Sequence, residues 1–112
     1  RFKRLANRPM RAIDYDAWLA VRAVGEAASR THQVDFKTLR DYMHSPKFEV
    51  AGFKGVALSF RGWNGQVREP LIVTNPKMFV SVSPEQGFLH QFSVLDTLGI
   101  DKPETKCKAY TQ

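Results

Sequence analysis

Cysteine is almost absent from this sequence of 112 residues, in which Cys107 is the single one. A lone thiol cannot close a disulfide within the chain or build a cysteine-rich zinc site. Long hydrophobic runs are missing too, because Arg22 and Glu26 interrupt the longest apolar-rich stretch, residues 17–28, which is too short to span a bilayer. The sequence begins Arg-Phe-Lys-Arg, with no initiator methionine and no signal peptide. We therefore expect a chain that was processed or cut out of a longer one.

The spacings that metal and catalytic sites require are also lacking. The separations between His32, His44, His90 and Cys107 are 12, 46 and 17 residues, whereas zinc ligands usually come in pairs about two to five residues apart. No Gly-x-Ser-x-Gly nucleophile elbow occurs. The stretch from Gly52 to Gly55 lacks the glycine spacing of a phosphate-binding loop. The sequence thus predicts no metal site, no bound cofactor and no enzymatic activity.

Acidic residues are in the minority, since 17 lysines and arginines against 11 aspartates and glutamates give a net charge of +6 and a pI of about 9.8. A basic chain can bind nucleic acid, an anionic membrane surface or an acidic partner. Only residues 1–4 and 102–108 are locally dense in basic side chains, however. Charge scattered in this way is more typical of a solvated surface than of a binding face. At this length the chain is one domain at most.

The apolar pattern predicts helices in the first third of the chain and strands after it. Asp14 is expected to cap a helix over residues 15–29, and Asp35 a second helix ending near residue 43. Asn64-Gly65 favours a tight hairpin turn. The predicted strands are residues 48–51, 56–60, 67–74 and 78–83, with one short turn over residues 94–98.

The helix predicted over residues 15–29 is apolar nearly all round, with one charged stripe at Arg22, Glu26 and Arg30. A small sheet packed on one side leaves much of it uncovered. Leaving Trp18 and its neighbours in water would cost about as much free energy as the whole stability of a small domain. We therefore expect a missing polypeptide segment or an oligomer partner to cover it.

Aromatic and basic residues interleave around the predicted hairpin, which raises the hypothesis of a small nucleic-acid-binding domain. Such a domain would stack bases on an aromatic and basic sheet face. In the alternative interpretation, Phe48 and Phe60 alternate inward and form the core. The residues concerned are Phe48, Phe53, Phe60 and Trp63, together with Lys47, Lys54, Arg61 and Arg68.

The order of features along the chain resembles the C-terminal third of type 1 periplasmic solute-binding proteins, the branched-chain-amino-acid-binding class. The segments that carry the resemblance are AIDYDAWLAVRAVGEAASR, DFKTLRDYM and GFKGVALSFRGWNGQ. RPMRAIDYDAW, SFRGWNGQVREP, VSVSPEQGFLHQ and LDTLGIDKPETKC look like one subgroup. These are the ABC-transporter substrate-binding proteins encoded with pyrroloquinoline quinone (PQQ)-dependent alcohol dehydrogenase systems. The resemblance covers essentially the whole chain.

The resemblance implies an α/β fold of two lobes joined by three crossovers, exported to the periplasm. A non-catalytic protein of this kind holds a small molecule in the cleft between the lobes, and its closed form docks on a membrane permease. Residues 1–72 would form the final part of the first lobe, residues 73–83 the last interlobe crossover strand, and residues 84–112 a tail on the second lobe. The remaining part of the protein, an ABC permease and a quinone-dependent dehydrogenase are the implied partners, and nucleic acid is not among them.

The family's cleft contact corresponds here to Met10, Arg11 and Ala12, just before the long helix. The guanidinium of Arg11 suits a ligand that bears a carboxylate, and a surface arginine at a helix start is the other interpretation. The resemblance also makes Cys107 a candidate for a disulfide to the missing segment, since a periplasmic protein lies in an oxidising compartment. The identity of the ligand stays open.

Overall fold

A computed structural model describes residues 1–110 and contains both helix and sheet, with 34% of the chain helical and 15% in strands. At this coarse level the mixed composition agrees with the α/β class that the sequence predicts. Its contacts divide the chain into two units, Arg1–Met43 and His44–Gln112. The predicted boundaries at residues 72/73 and 83/84 refer to the lobes of a larger protein and stay predictions.

The first unit is helical. Its elements are α1 (Phe2–Ala6), α2 (Ala12–Thr31) and α3 (Phe36–Met43). The prediction that Asp14 caps α2 is wrong, because the N-cap is Arg11 and Asp14 is the third helical residue. The Asp14 carboxylate still serves the helix start, since its Oδ2 accepts a hydrogen bond of 2.9 Å from the backbone N–H of Arg11. Asp35 does cap α3 as predicted, because its Oδ1 lies 2.9 Å from the backbone nitrogen of Thr38.

Helix α2 buries only one narrow face. Leu19, Ala23 and Ala27 are at most 8% exposed and follow one another at four-residue spacing, which places them on one stripe of the helix. Helix α3 packs against α2. Ile13 and Val21 remain 73% and 75% exposed. Apolar surface on α2 is therefore left in water, as the sequence leads us to expect.

The second unit begins with a three-stranded antiparallel sheet in the order β1–β2–β3. Phe48, Val50 and Leu58 are at most 2% exposed and form its core. Val50 pairs with Leu58, so the alternation of the strands places both side chains on the buried face. The strands are β1 (Val50–Ala51), β2 (Ala57–Phe60) and β3 (Val67–Arg68).

The hairpin between β2 and β3 is confirmed, but its turn is wider than predicted. Phe60 is the last residue of β2 and pairs with Val67, so residues 61–66 form the loop. The backbone N–H of Arg61 donates to the Gln66 carbonyl at 2.8 Å. Gly65 has a φ of +71°, a left-handed conformation that glycine adopts without strain.

The prediction that residues 67–74 form one continuous strand, the second arm of the hairpin, is wrong. Pro70 cannot donate a ladder hydrogen bond, and the chain leaves the first sheet there. Strand β4 (Leu71–Thr74) instead pairs antiparallel with β5 (Phe79–Ser83) in a separate two-stranded sheet. Alternate side chains point to opposite faces of a strand, yet every residue of β4 is exposed. Both faces of this ribbon, β4–β5, therefore present apolar side chains to water.

The C-terminal part of the second unit folds without strands. Val94–Thr97 forms a 3-10 helix, in agreement with the predicted turn. The Ser93 hydroxyl caps it by accepting a hydrogen bond from the Leu95 backbone at 3.3 Å. Among residues 1–110, no helix has the length and apolar character needed to cross a membrane.

Candidate functional site

The start of α2 is held by a two-pronged ion pair. The guanidinium of Arg8 places Nη1 2.6 Å from Asp14 Oδ2 and Nη2 2.7 Å from Asp14 Oδ1. Hydrogen bonds from Arg8 and from the backbone N–H of Arg11 lower the pKa of Asp14 to about 2. Because Asp14 lies inside the helix and Arg8 lies before it, this pair fixes the path of the intervening segment.

That segment contains the predicted ligand contacts. Met10, Arg11 and Ala12 lie in succession at the N-terminal end of α2, and all three are exposed. Arg11 has an extended backbone, with φ −106° and ψ 166°. A guanidinium and the positive end of a long helix together can attract a carboxylate. The arrangement is compatible with the predicted contact, and the role of these residues stays a prediction.

The most elaborate polar arrangement lies instead in the second unit, around Arg61. This side chain is only 2% exposed, and its Nε donates to Asp96 Oδ1 at 2.9 Å. Nη1 donates to the side-chain oxygen of Gln66 at 2.9 Å. Nη2 donates to the backbone carbonyls of Leu95, at 3.0 Å, and Leu98. One arginine therefore fastens the C-terminal segment to the hairpin loop.

Arg68 completes this cluster from strand β3. Its Nε donates to the same oxygen, Asp96 Oδ1, at 2.7 Å, and its Nη1 donates to the Phe60 carbonyl at 3.0 Å. The Asp96 side chain is 0% exposed and its Oδ2 accepts no hydrogen bond from any residue of the described part. We call Arg61, Arg68 and Asp96 the buried charge cluster. Two guanidinium groups and one carboxylate leave it with a net charge of +1.

Trp63 covers the buried charge cluster at the hairpin tip. The Cζ atoms of Arg61 and Arg68 lie 5.9 Å and 5.2 Å from the centre of its ring. Its indole Nε1 donates to the carbonyl of Ile100 at 3.3 Å. The ring therefore joins the two arginines to the C-terminal segment.

Two of the residues proposed for the nucleic-acid platform are buried. Phe48 is 0% exposed and Arg61 is 2% exposed, so neither is available to stack on a base or to contact a phosphate. The interpretation in which Phe48 belongs to the core is confirmed. Phe48 and Arg61 therefore do not belong to an exposed stacking face.

A cavity of about 360 Å³ lies beside the buried charge cluster. Four aromatic residues line its wall, His44, Phe48, Phe60 and Trp63, and Arg68 supplies a guanidinium. The exposed carboxylate of Glu49 lies on the same wall. The His44 ring also contacts Tyr110, with 4.9 Å between the ring centres. The volume falls within the usual range of small-molecule sites, which begins at about 300 Å³.

The histidines predicted to be surface residues have different surroundings. His32 is an exposed residue at the C-terminal cap of α2, while His90 pairs with Asp101 at 3.2 Å. His90 Nδ1 accepts hydrogen bonds from the backbone of Phe92 and Ser93, at 3.2 and 3.4 Å. Both ring nitrogens of His90 are thus engaged by the protein. Within residues 1–110, no group of three or more histidine, cysteine, aspartate or glutamate side chains could hold a metal ion.

Cys107 lies in the C-terminal segment, where it is partly exposed and carries a free thiol. The backbone N–H of Cys107 donates to the Thr105 hydroxyl at 3.2 Å. As the single cysteine of the chain it can form a disulfide only with a thiol outside this chain. The predicted disulfide to another segment stays a prediction.

Comparison of the chain with protein-family models, with curated proteins and with solved structures finds no match.

Sequence reasoning missed Asp96, on which the buried charge cluster depends. One signal was present, because a single carboxylate in the apolar segment SVLDTLGI is an unusual candidate for a solvated surface. Its two arginine partners are 28 and 35 positions away, and no local pattern connects them.

Proposed function

We infer that this chain is part of a type 1 periplasmic solute-binding protein, of the kind associated with PQQ-dependent alcohol oxidation. It is non-catalytic, and together with the rest of the protein it holds a small molecule between two lobes for uptake by an ABC permease. Met10, Arg11 and Ala12 contribute the contact from this segment. The support comes from the sequence segments that resemble the subgroup and from the surface of the folded chain.

The observation that carries the proposal is the uncovered apolar surface of the β4–β5 ribbon. Leu71 and Ile72 point to opposite faces, and they are 53% and 51% exposed. Phe79 and Val80 of the partner strand are likewise 59% and 55% exposed. A two-stranded ribbon with apolar residues on both faces is not stable alone in water. An interlobe crossover strand, buried between further elements of the same protein, would account for it.

The first test is the mass of the native material, measured intact with and without reductant. The proposal expects a mass well above 12.8 kDa, or a second chain that remains associated. If reductant releases the second chain, the thiol of Cys107 provides the link. Native material with a mass of 12.8 kDa and no associated chain would overturn the proposal.

The second test concerns the ligand contact. In the intact binding protein, small alcohols and their carboxylic acids are screened by thermal shift, because a ligand that binds only the folded state raises the melting temperature. Arg11→Gln is expected to weaken an acid ligand about tenfold or more, as the loss of a charge-assisted hydrogen bond does. Arg4→Gln removes the same charge from the exposed helix α1 and is the matched control. Equal effects of the two variants would remove Arg11 from the site.

Binding of oligonucleotides that weakens steeply with salt would favour the other hypothesis, a nucleic-acid-binding domain. This measurement is independent of the mass and uses the same material. We expect any binding of oligonucleotides to change little with the salt concentration.

A further inference from the structure

We propose that the cavity beside the buried charge cluster binds a small planar carboxylate, with the carboxylate on Arg68 and the planar group among the aromatic side chains. This site lies within the second unit and does not depend on the interlobe cleft or on Arg11.

The charge of the cluster is the first reason. Charged groups removed from water are normally compensated by a partner, but Asp96 is the only carboxylate that pairs with Arg61 and Arg68 among the described residues. Arg61 donates its remaining hydrogen bonds to neutral groups, the Gln66 side chain and backbone carbonyls. One positive charge therefore has no counterpart in the cluster, and an anion beside it would supply that counterpart.

The second reason is the hydrogen-bonding capacity of Arg68. Its Nε and Nη1 are used by Asp96 and by the Phe60 carbonyl. Its Nη2 donates to no residue in the described range 1–110. Arg68 is 19% exposed at its side chain and lines the cavity. A carboxylate in the cavity can therefore accept a charge-assisted hydrogen bond from a donor that the protein leaves available.

The aromatic wall selects a planar group. Phe60, Trp63 and His44 line the cavity, and aromatic pairs attract one another in offset and tilted arrangements. An aliphatic acid of the same size would keep the ion pair and lose these contacts.

Glu49 is the charged group on the cavity wall that opposes an anion. Since Glu49 is exposed, water screens its repulsion and the penalty is small. Replacement of Glu49 therefore changes the charge of the site without disturbing the core. Glu49→Gln is expected to strengthen carboxylate binding about twofold.

The probe for the test is benzoate, followed by the indole N–H signals in proton–nitrogen NMR spectra of the full chain. Trp63 reports on the cavity, whereas Trp18 lies in the first unit and serves as the internal reference. A ligand of this size is expected to bind with a dissociation constant on the order of 1 mM. The Trp63 signal should then shift with saturation while the Trp18 signal stays in place. Equal or absent shifts of the two signals would overturn the proposal.

Two neutral or non-planar analogues separate charge from shape. Benzamide keeps the ring and loses the charge, so it should bind about tenfold or more weakly. Cyclohexanecarboxylate keeps the charge and loses the flat ring, and it should also bind more weakly than benzoate. If benzamide binds as well as benzoate, Arg68 does not hold a carboxylate and the proposal is wrong.

The matched variants are Arg68→Gln and Lys47→Gln, which each remove one positive charge from the second unit. Lys47 is exposed and does not line the cavity. Arg68→Gln should weaken benzoate about tenfold or more and Lys47→Gln should leave it unchanged, whereas equal losses would show non-specific attraction to a basic protein. If Arg68→Gln does not fold, Glu49→Gln decides, because a gain for benzoate without a gain for benzamide supports the site and no gain contradicts it.

Discussion

Replacement of Arg61 by methionine tests directly how much the buried charge cluster stabilises the fold. The variant keeps an unbranched side chain of similar length and removes every hydrogen bond of the guanidinium. Asp96 would keep a single partner, Arg68, on the same oxygen Oδ1. The carbonyls of Leu95 and Leu98 would lose the donor they share.

The expected loss follows from burial. Arg61 is 2% exposed and Asp96 1%, and removing one partner of a buried ion pair typically destabilises a protein by about 3–5 kcal/mol. Small domains have a total stability of about 5–15 kcal/mol, so the second unit would lose a large part of its stability. For a domain of this size, the melting temperature should fall by about 12 °C or more.

Urea unfolding followed by tryptophan fluorescence measures this change. A Trp18→Phe background leaves Trp63 as the single reporter, and Trp63 lies on the cluster itself. Lys47→Gln removes an exposed charge from the same unit and should stay within about 0.5 kcal/mol of the parent. If Arg61→Met costs less than about 1 kcal/mol, the guanidinium does not hold the C-terminal segment and the reasoning above is wrong.

Lowering the pH should weaken the start of α2: because the pKa of Asp14 lies at about 2 when folded and near 3.8 otherwise, its stabilisation is complete above about pH 4 and is lost as the pH falls toward 2. Circular dichroism of Asp14→Asn should lack that part of the acid transition, and an unchanged transition would exclude Asp14 as its source. Gly99→Ala should destabilise the second unit by more than about 1 kcal/mol, since Gly99 has a φ of +95° and an added Cβ would lie 2.8 Å from Arg61 Nη1. A Cβ added at Gly25 would meet open space, so Gly25→Ala should stabilise α2 by about 0.5–1 kcal/mol. Melting temperatures of the Gly99→Ala and Gly25→Ala variants that shift in the same direction would contradict these two predictions. Asp35→Ala removes the cap of α3 and should cost about 1 kcal/mol in urea unfolding, whereas Asp35→Ser should retain most of it.

Local patterns in the sequence predicted most of the elements. Helical periodicity identified α2 and α3, and alternation identified β5, because both signals are contained in a few neighbouring residues. The Asp35 cap was found for the same reason. Asp14 was misplaced by one turn, because a carboxylate can serve either as the cap or as the third helical residue, and the position of Arg8 decides between them.

Long-range pairing could not be predicted. The strand expected over residues 67–74 is interrupted at Pro70. Its second half, β4, pairs with β5 and not with β2, and this pairing depends on residues outside the predicted strand. The sequence showed basic residues around the predicted hairpin, but the inward orientation of Arg61 depends on a carboxylate 35 positions away. For the same reason the cavity wall, which combines His44 with Trp63 and Arg68, has no local signature.

The pairing of Arg61 with the C-terminal segment also has a consequence for the order of folding. The helices of the first unit form through contacts between near neighbours in the chain, and such contacts form within microseconds to milliseconds. The hairpin of the second unit, in contrast, cannot compensate the charge of Arg61 until Asp96 has been synthesised. At about 5–20 residues per second on the ribosome, the nascent hairpin is therefore expected to wait about 2–7 s for its partner. Protease sensitivity of released chains truncated before and after residues 94–101 would reveal this dependence as an abrupt gain of resistance.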